Sequence, residues 1–158
     1  MDQYANSPNR LPWPPLIYGA AIVLGALSPM LLPTPWTGSP FSDFLIGIGI
    51  MIIAVALFID FKAMTTMHAQ KTTIMPNKGA AHLVTNGPFS FSRNPIYLAN
   101  TMMTIGAGLC FGIIWFIPLA FAAAFLTQKL AIEREEKHLA AKFGKPWRDY
   151  THKVHRWF

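Results

Sequence analysis

Between Leu16 and Ile59 the chain carries no Lys or Arg, and its only acid is Asp43. A stretch that long with almost no charge to face water fits one solvent, lipid. It divides into two apolar runs, Leu16–Leu32 and Phe41–Phe61. Each is near the ~17–25 residues an apolar helix needs to cross a bilayer. The linker between them, PTPWTGSP over 33–40, is rich in Pro, Gly and Ser, with Trp36 suited to a membrane interface. Gly47 and Gly49 would let the second helix approach a neighbour closely. The first run follows Asp2 and a single Arg, with no A-x-A site after it, so it reads as retained rather than cleaved.

The rest of the chain repeats the pattern. Residues 96–127 are again apolar. One helix over that span would be about 48 Å long against a core of ~30 Å. Two helices folded into a tight hairpin fit better, with Gly106, Gly108 and Gly112 supplying a turn near 107–112. After the hairpin, LTQKLAIEREEKHLAAKF (126–143) reads as a helix emerging into water, stopped at Gly144 with Pro146 beyond. The expected fold is therefore an all-α integral membrane protein. It has about four transmembrane helices, a C-terminal hairpin, and an ordered cytosolic connector and tail. At 158 residues it is one domain, with two spans in 1–61 and the connector, hairpin and basic tail in 62–158.

Charge supports this topology. Hydrophobic residues are 53% of the chain and charged ones 13%, about half the usual ~25%. Of the 13 Lys and Arg, four lie in 62–93 and eight in 129–156, leaving Arg10. Two basic segments flanking apolar runs are what the positive-inside bias produces, so both termini are expected in the cytoplasm, as partners of the bilayer and not of nucleic acid. The lone Cys110 permits no disulfide, and the scattered histidines give no metal-ligand spacing. No G-x-G-x-x-G follows a strand, which removes a Rossmann-type nucleotide site.

Chemistry concentrates at one end of the hairpin. The connector sequence AHLVTNGPF (81–89), then Arg93, Asn94 and Tyr97, meets Glu133, Glu135 and Glu136 if the hairpin closes. Arg93 and Glu135 are expected to approach. Glu133 reads as half of a surface pair with Lys137 at i, i+4, whereas Glu135 shares a side with the inward Leu139. For Arg93 the plain alternative is snorkelling to lipid phosphate, and on charge alone that reading leads.

Two stretches carry a resemblance. LVTNGPFSFSRNPIYL (83–98) and EREEKHLAAKFGKPWRDYTHKVHRW (133–157) resemble the isoprenylcysteine carboxyl methyltransferase family, in particular bacterial members, which are similar to phospholipid N-methyltransferases. The shared pattern is a G-P-[YF] turn, R-[HN]-P-x-Y, an apolar hairpin and E-E-x-x-L…F-G…Y…V-x-R. It covers about residues 62–158.

The resemblance implies a membrane methyltransferase using S-adenosylmethionine, with a lipophilic acceptor drawn from the bilayer. By that reading His82, Leu83, Val84, Phe89, Asn94, Pro95, Tyr97 and Glu135 contact the cofactor, and Arg93, Asn94, Tyr97 and Glu135 form the reacting site. Glu135 would take the ammonium or a ribose hydroxyl. Arg93 or helix-start N–H groups would take the carboxylate, and Leu83, Val84 and Phe89 the adenine. Tyr97 would face the sulfonium. The implied acceptor is a carboxylate, with a phospholipid amine as alternative and a non-catalytic membrane scaffold or transporter subunit as the further one. Two positions depart from the pattern. Asn94 stands for the common His, and Ala131 stands where the eukaryotic enzymes place an arginine against the substrate carboxylate.

Overall fold

Four apolar helices lie side by side in the computed structural model, which describes residues 11–70 and 82–158. Helix α1 is Trp13–Leu31, α2 is Phe41–Ala69, α3 is Pro95–Phe111 and α4 is Phe116–Thr127. Through a π-helical segment, Gln128–Ile132, α4 continues into α5, Glu133–Phe143. A short α6, Lys145–Thr151, opens the tail. Helix α3 is central, packing on α2, α4 and α1, and α1 closes against α4.

The side chains are distributed inside out relative to a water-soluble bundle. Between the helices sit small residues, with Ala56, Ala63, Ala99 and Ala120 fully buried. Facing outward are Phe44, Phe58, Phe121 and Phe125, each at least 60% exposed. In lipid no hydrophobic force drives helices together, so close backbone approach of small residues takes over and bulky apolar groups meet the tails. This is an integral membrane protein. The closest approach joins α2 to α3: a Cβ on Gly49 would lie 2.8 Å from the Gly106 carbonyl oxygen, and one on Gly106 would lie 2.9 Å from that of Gly49. Gly47 has no such neighbour, so only one of the two glycines marked in the sequence is used at this seam.

Local chemistry resolves the breaks in each helix. Pro29 lies inside α1 and removes the N–H that would reach the Gly25 carbonyl. The Ser28 hydroxyl donates to that carbonyl instead, at 2.7 Å. At the hairpin, α3 ends at Gly112 in the left-handed region (φ 68°), which any Cβ would strain. The ring of Trp36 covers Gly112, and the Trp115 indole donates to the Leu32 carbonyl at 3.2 Å. These contacts tie the 33–40 linker to the hairpin tip.

Several boundaries differ from the sequence reading. Helix α2 runs to Ala69 rather than ending near Phe61, since Lys62, Thr65 and Thr66 continue it, the two threonines bonding back to carbonyls in the preceding turn. The hairpin turns after Gly112, not over 107–112, because Gly106 and Gly108 are spent on packing. Helices α1, α2 and α4–α5 are long and apolar enough to span, while α3 is a shorter apolar helix of 17 residues, about 25 Å. Part of the connector expected to be ordered, 71–81, lies outside the described residues.

Candidate functional site

The connector enters through a 3-10 turn, Gly87–Ser90, and α3 starts at Pro95, where the missing N–H is tolerated. Gly87 has φ 59° and sits against Thr66, where a Cβ would come within 2.8 Å of the hydroxyl. Opposite, α5 leaves the bundle and stops at Gly144 (φ 56°), which turns the tail back. There Trp147, Tyr150 and Val154 form a buried cluster with Leu83, Leu139 and Phe143.

The tail is laced to the connector. The Tyr150 hydroxyl donates to the Phe89 carbonyl at 2.6 Å. The Arg93 N–H donates to the His155 carbonyl at 3.0 Å, and the Asn94 side-chain amide to the Arg156 carbonyl, also at 3.0 Å. The Trp157 indole donates to Gln128 Oε1 at 2.9 Å. Burial pushes the Tyr150 hydroxyl up to about 12, so at neutral pH it is a donor.

Two adjacent glutamates face two partners. Tyr97 donates to Glu135 Oε1 at 3.0 Å. Glu136 accepts from Arg156 at two points, Nε at 3.0 Å and Nη2 at 2.6 Å, and pairs with Arg93 Nη1 at 3.2 Å. About 100° per residue separates successive α-helical side chains, which sends the pair in different directions. The expected meeting of Arg93 with Glu135 is therefore corrected: the ion pair is with Glu136. Likewise Glu133 pairs with Lys129 at 2.7 Å rather than with Lys137. Arg93 also lies 5.6 Å from the Trp147 ring centroid, an additional cation–π contact.

The other sequence candidates are spread around this centre. Val84 and Pro95 are buried, Leu83 and Phe89 are half-buried, and His82 is exposed. Leu83 packs on the tail cluster. Beneath Tyr97, the Tyr18 hydroxyl contacts the Tyr97 carbonyl at 3.1 Å and Thr101 Oγ1 at 2.6 Å, binding α1 to α3. Ala131 is fully buried in the π segment. Sequence reasoning named Glu136 without giving it a partner, held Tyr150 and Arg156 only as the Y and the V-x-R of the tail pattern, and passed over Tyr18. Nothing local marks Tyr18, which reaches the site across 79 positions.

Comparison with known proteins places this geometry. A family model described as phospholipid methyltransferase matches residues 44–146. No curated protein matches the chain. Among solved structures, the fold is similar to the eukaryotic intramembrane Ras methyltransferase, isoprenylcysteine carboxyl methyltransferase, with a TM-score of 0.65 and 22% identity. The match covers 95% of this chain and 53% of that one, so the chain spans about half the length of the structure it resembles. With the family model matched over well more than half of this chain's length, on a bundle whose bulky side chains face lipid, the chain belongs to the phospholipid methyltransferase family.

Proposed function

We propose that the chain transfers a methyl group from S-adenosylmethionine to a lipid-soluble acceptor at the end of the bundle where α3 begins. The observation that carries this reading is the Tyr97–Glu135 hydrogen bond, held between α3 and α5 beneath the folded-back tail. Glu135 uses one carboxylate oxygen on Tyr97 and has no hydrogen-bonded partner on the other among the described residues. That free oxygen suits an ammonium or a ribose hydroxyl, so the residues present fit the donor. Leu83, Val84 and Phe89 offer apolar surface for adenine, and the N–H groups at the start of α3 suit a carboxylate. Asn94, its side-chain amide on the tail, and Pro95 hold that helix start in place, and exposed His82 borders the same connector.

When bound, S-adenosylmethionine supplies an electrophilic methyl on a sulfonium and leaves as a neutral thioether. The protein's own contribution is orientation and exclusion of water. Tyr97 presents its ring and hydroxyl to positive charge, and Glu135 fixes the hydroxyl.

The charge inventory bears on the acceptor. Arg93 and Arg156 are both engaged by Glu136, and Ala131 offers no cation. Among the described residues, the remaining arginines, Arg134 and Arg148, are exposed, and none is shown facing the Tyr97–Glu135 pair to meet an acceptor carboxylate. An amine of phospholipid-headgroup type therefore accords better with the site than the carboxylate first expected, and the Tyr97–Glu135 pair is placed to receive the proton such an amine sheds. The two basic segments support a cytoplasmic side for this end and for both termini.

Calorimetric titration of detergent-purified protein with S-adenosylmethionine tests the donor. Absence of binding at millimolar concentration would overturn the proposal. Mass analysis of products from extracted lipids then separates N-methylation from ester formation.

A further inference from the structure

Glu136 is one carboxylate serving two guanidinium groups. Arg156 comes from the tail and Arg93 from the connector, and both reach the same carboxylate. The side chains of Glu136 and Arg93 are 17% and 14% exposed, and that of Arg156 is 30% exposed. Charged groups so withdrawn from water hold one another firmly, and removing one leaves the others unpaired. The backbone around each arginine is bonded across the same junction, through Arg93 N–H to His155 and through Asn94 to the Arg156 carbonyl. Tyr97 lies in the first turn of α3, four residues beyond Arg93, so whatever fixes Arg93 also sets the start of α3 and the direction from which Tyr97 meets Glu135.

From this we infer that Glu136 is a positioning residue of the donor site. It acts through Arg93 and Arg156, pinning the tail across the connector, and does not touch the donor. Of two neighbouring glutamates, Glu135 serves the pocket and Glu136 serves the clasp. Arg93 is thereby committed to the clasp, and the donor's carboxylate falls to the N–H groups at the start of α3. This assignment rests on the proposed donor binding.

The test pairs two readouts on the full chain in detergent: amide hydrogen exchange of residues 145–158, and calorimetric affinity for S-adenosylmethionine. Glu136→Gln and Arg156→Gln are each expected to speed exchange of the tail and weaken donor affinity about ten-fold. Their combination is expected to be no weaker than the worse single variant, because both remove one clasp. Arg156→Lys, keeping a single ion pair, is expected to restore most of the affinity. Loss of affinity in Glu136→Gln with tail exchange unchanged would make Glu136 a direct donor ligand and overturn the inference, as would additive losses. If Glu136→Gln does not fold, Arg156→Gln, which leaves Glu136 paired with Arg93, carries both readouts. Should the wild type bind no donor, the proposed function fails while tail exchange still decides the clasp.

Discussion

Tyr97 donates a 3.0 Å hydrogen bond to Glu135 across 38 positions of sequence, joining the first turn of α3 to the start of α5. The whole hairpin intervenes between them. The bond exists only because the hairpin closes at Gly112 and the π segment turns α5 to meet α3. Donor binding should therefore be sensitive to both partners. Glu135→Gln is expected to weaken affinity for S-adenosylmethionine about ten-fold or more, and Tyr97→Phe by about three- to ten-fold, following the usual worth of charged and neutral hydrogen bonds. Glu133→Ala, which removes only an exposed pair with Lys129, should bind as the wild type does. Titration calorimetry on the three variants checks the ranking, and equal losses at Glu133 and Glu135 would contradict it.

Tyr150 makes the tail pH-sensitive at the alkaline end. Burial raises its hydroxyl to about 12, above the ~10 of a tyrosine in water. A folded value above the unfolded one means the stabilisation is complete below about pH 10 and is lost as pH rises through about 12. Ultraviolet titration of wild type minus Tyr150→Phe should show tyrosinate forming near the upper value. A difference step near 10 would mean the hydroxyl is solvated. At neutral pH Tyr150→Phe should lower stability by about 0.5–1.5 kcal/mol, the net worth of its bond to Phe89.

The α2–α3 seam predicts a contrast between two glycines two residues apart. A methyl at Gly49 would press on the Gly106 carbonyl at 2.8 Å and on Cys110 Sγ at 2.7 Å. Gly49→Ala should therefore destabilise by about 1–3 kcal/mol, as overpacking does. Gly47→Ala meets nothing within 4 Å and should leave the thermal midpoint in detergent unchanged.

In α1, the Ser28 hydroxyl serves the carbonyl that Pro29 deprives of its partner. Ser28→Ala should cost about 1–3 kcal/mol, the penalty of an unmet buried acceptor. Adding Pro29→Ala restores the backbone N–H and should recover most of that loss. Additive losses in the double variant would show that the hydroxyl is not replacing the N–H.

Apolar runs, proline and glycine punctuation and the charge blocks made the helices and their lipid environment legible, because those are properties of short windows. The helix-start role of Pro95 and the stop at Gly144 were legible for the same reason. The partner of Arg93 was not. Choosing between Glu135 and Glu136 requires the rotation of α5, and the π segment that sets it has no mark in QKLAI. Counting 100° steps from an ideal helix cannot register that extra residue. Tyr18 was hidden differently: in an apolar run it reads as one more large side chain, and only the packing of α1 on α3 gives its hydroxyl a destination.

The π segment at Gln128–Ile132 has a consequence for insertions and deletions. It takes up an extra residue, so the angular phase of α5 is uncoupled from the register of α4 among its neighbours. Deleting one residue there would return the turn to ordinary α geometry and leave the α4 contacts and the α5 side chains near their present places, whereas deleting Arg134 from α5 itself would advance every later side chain by one place. Glu136 would then arrive at Tyr97, and Lys137 would confront the two arginines that Glu136 now holds. The alignment of charge in this protein is thus encoded in the length of a segment as much as in the identity of its residues.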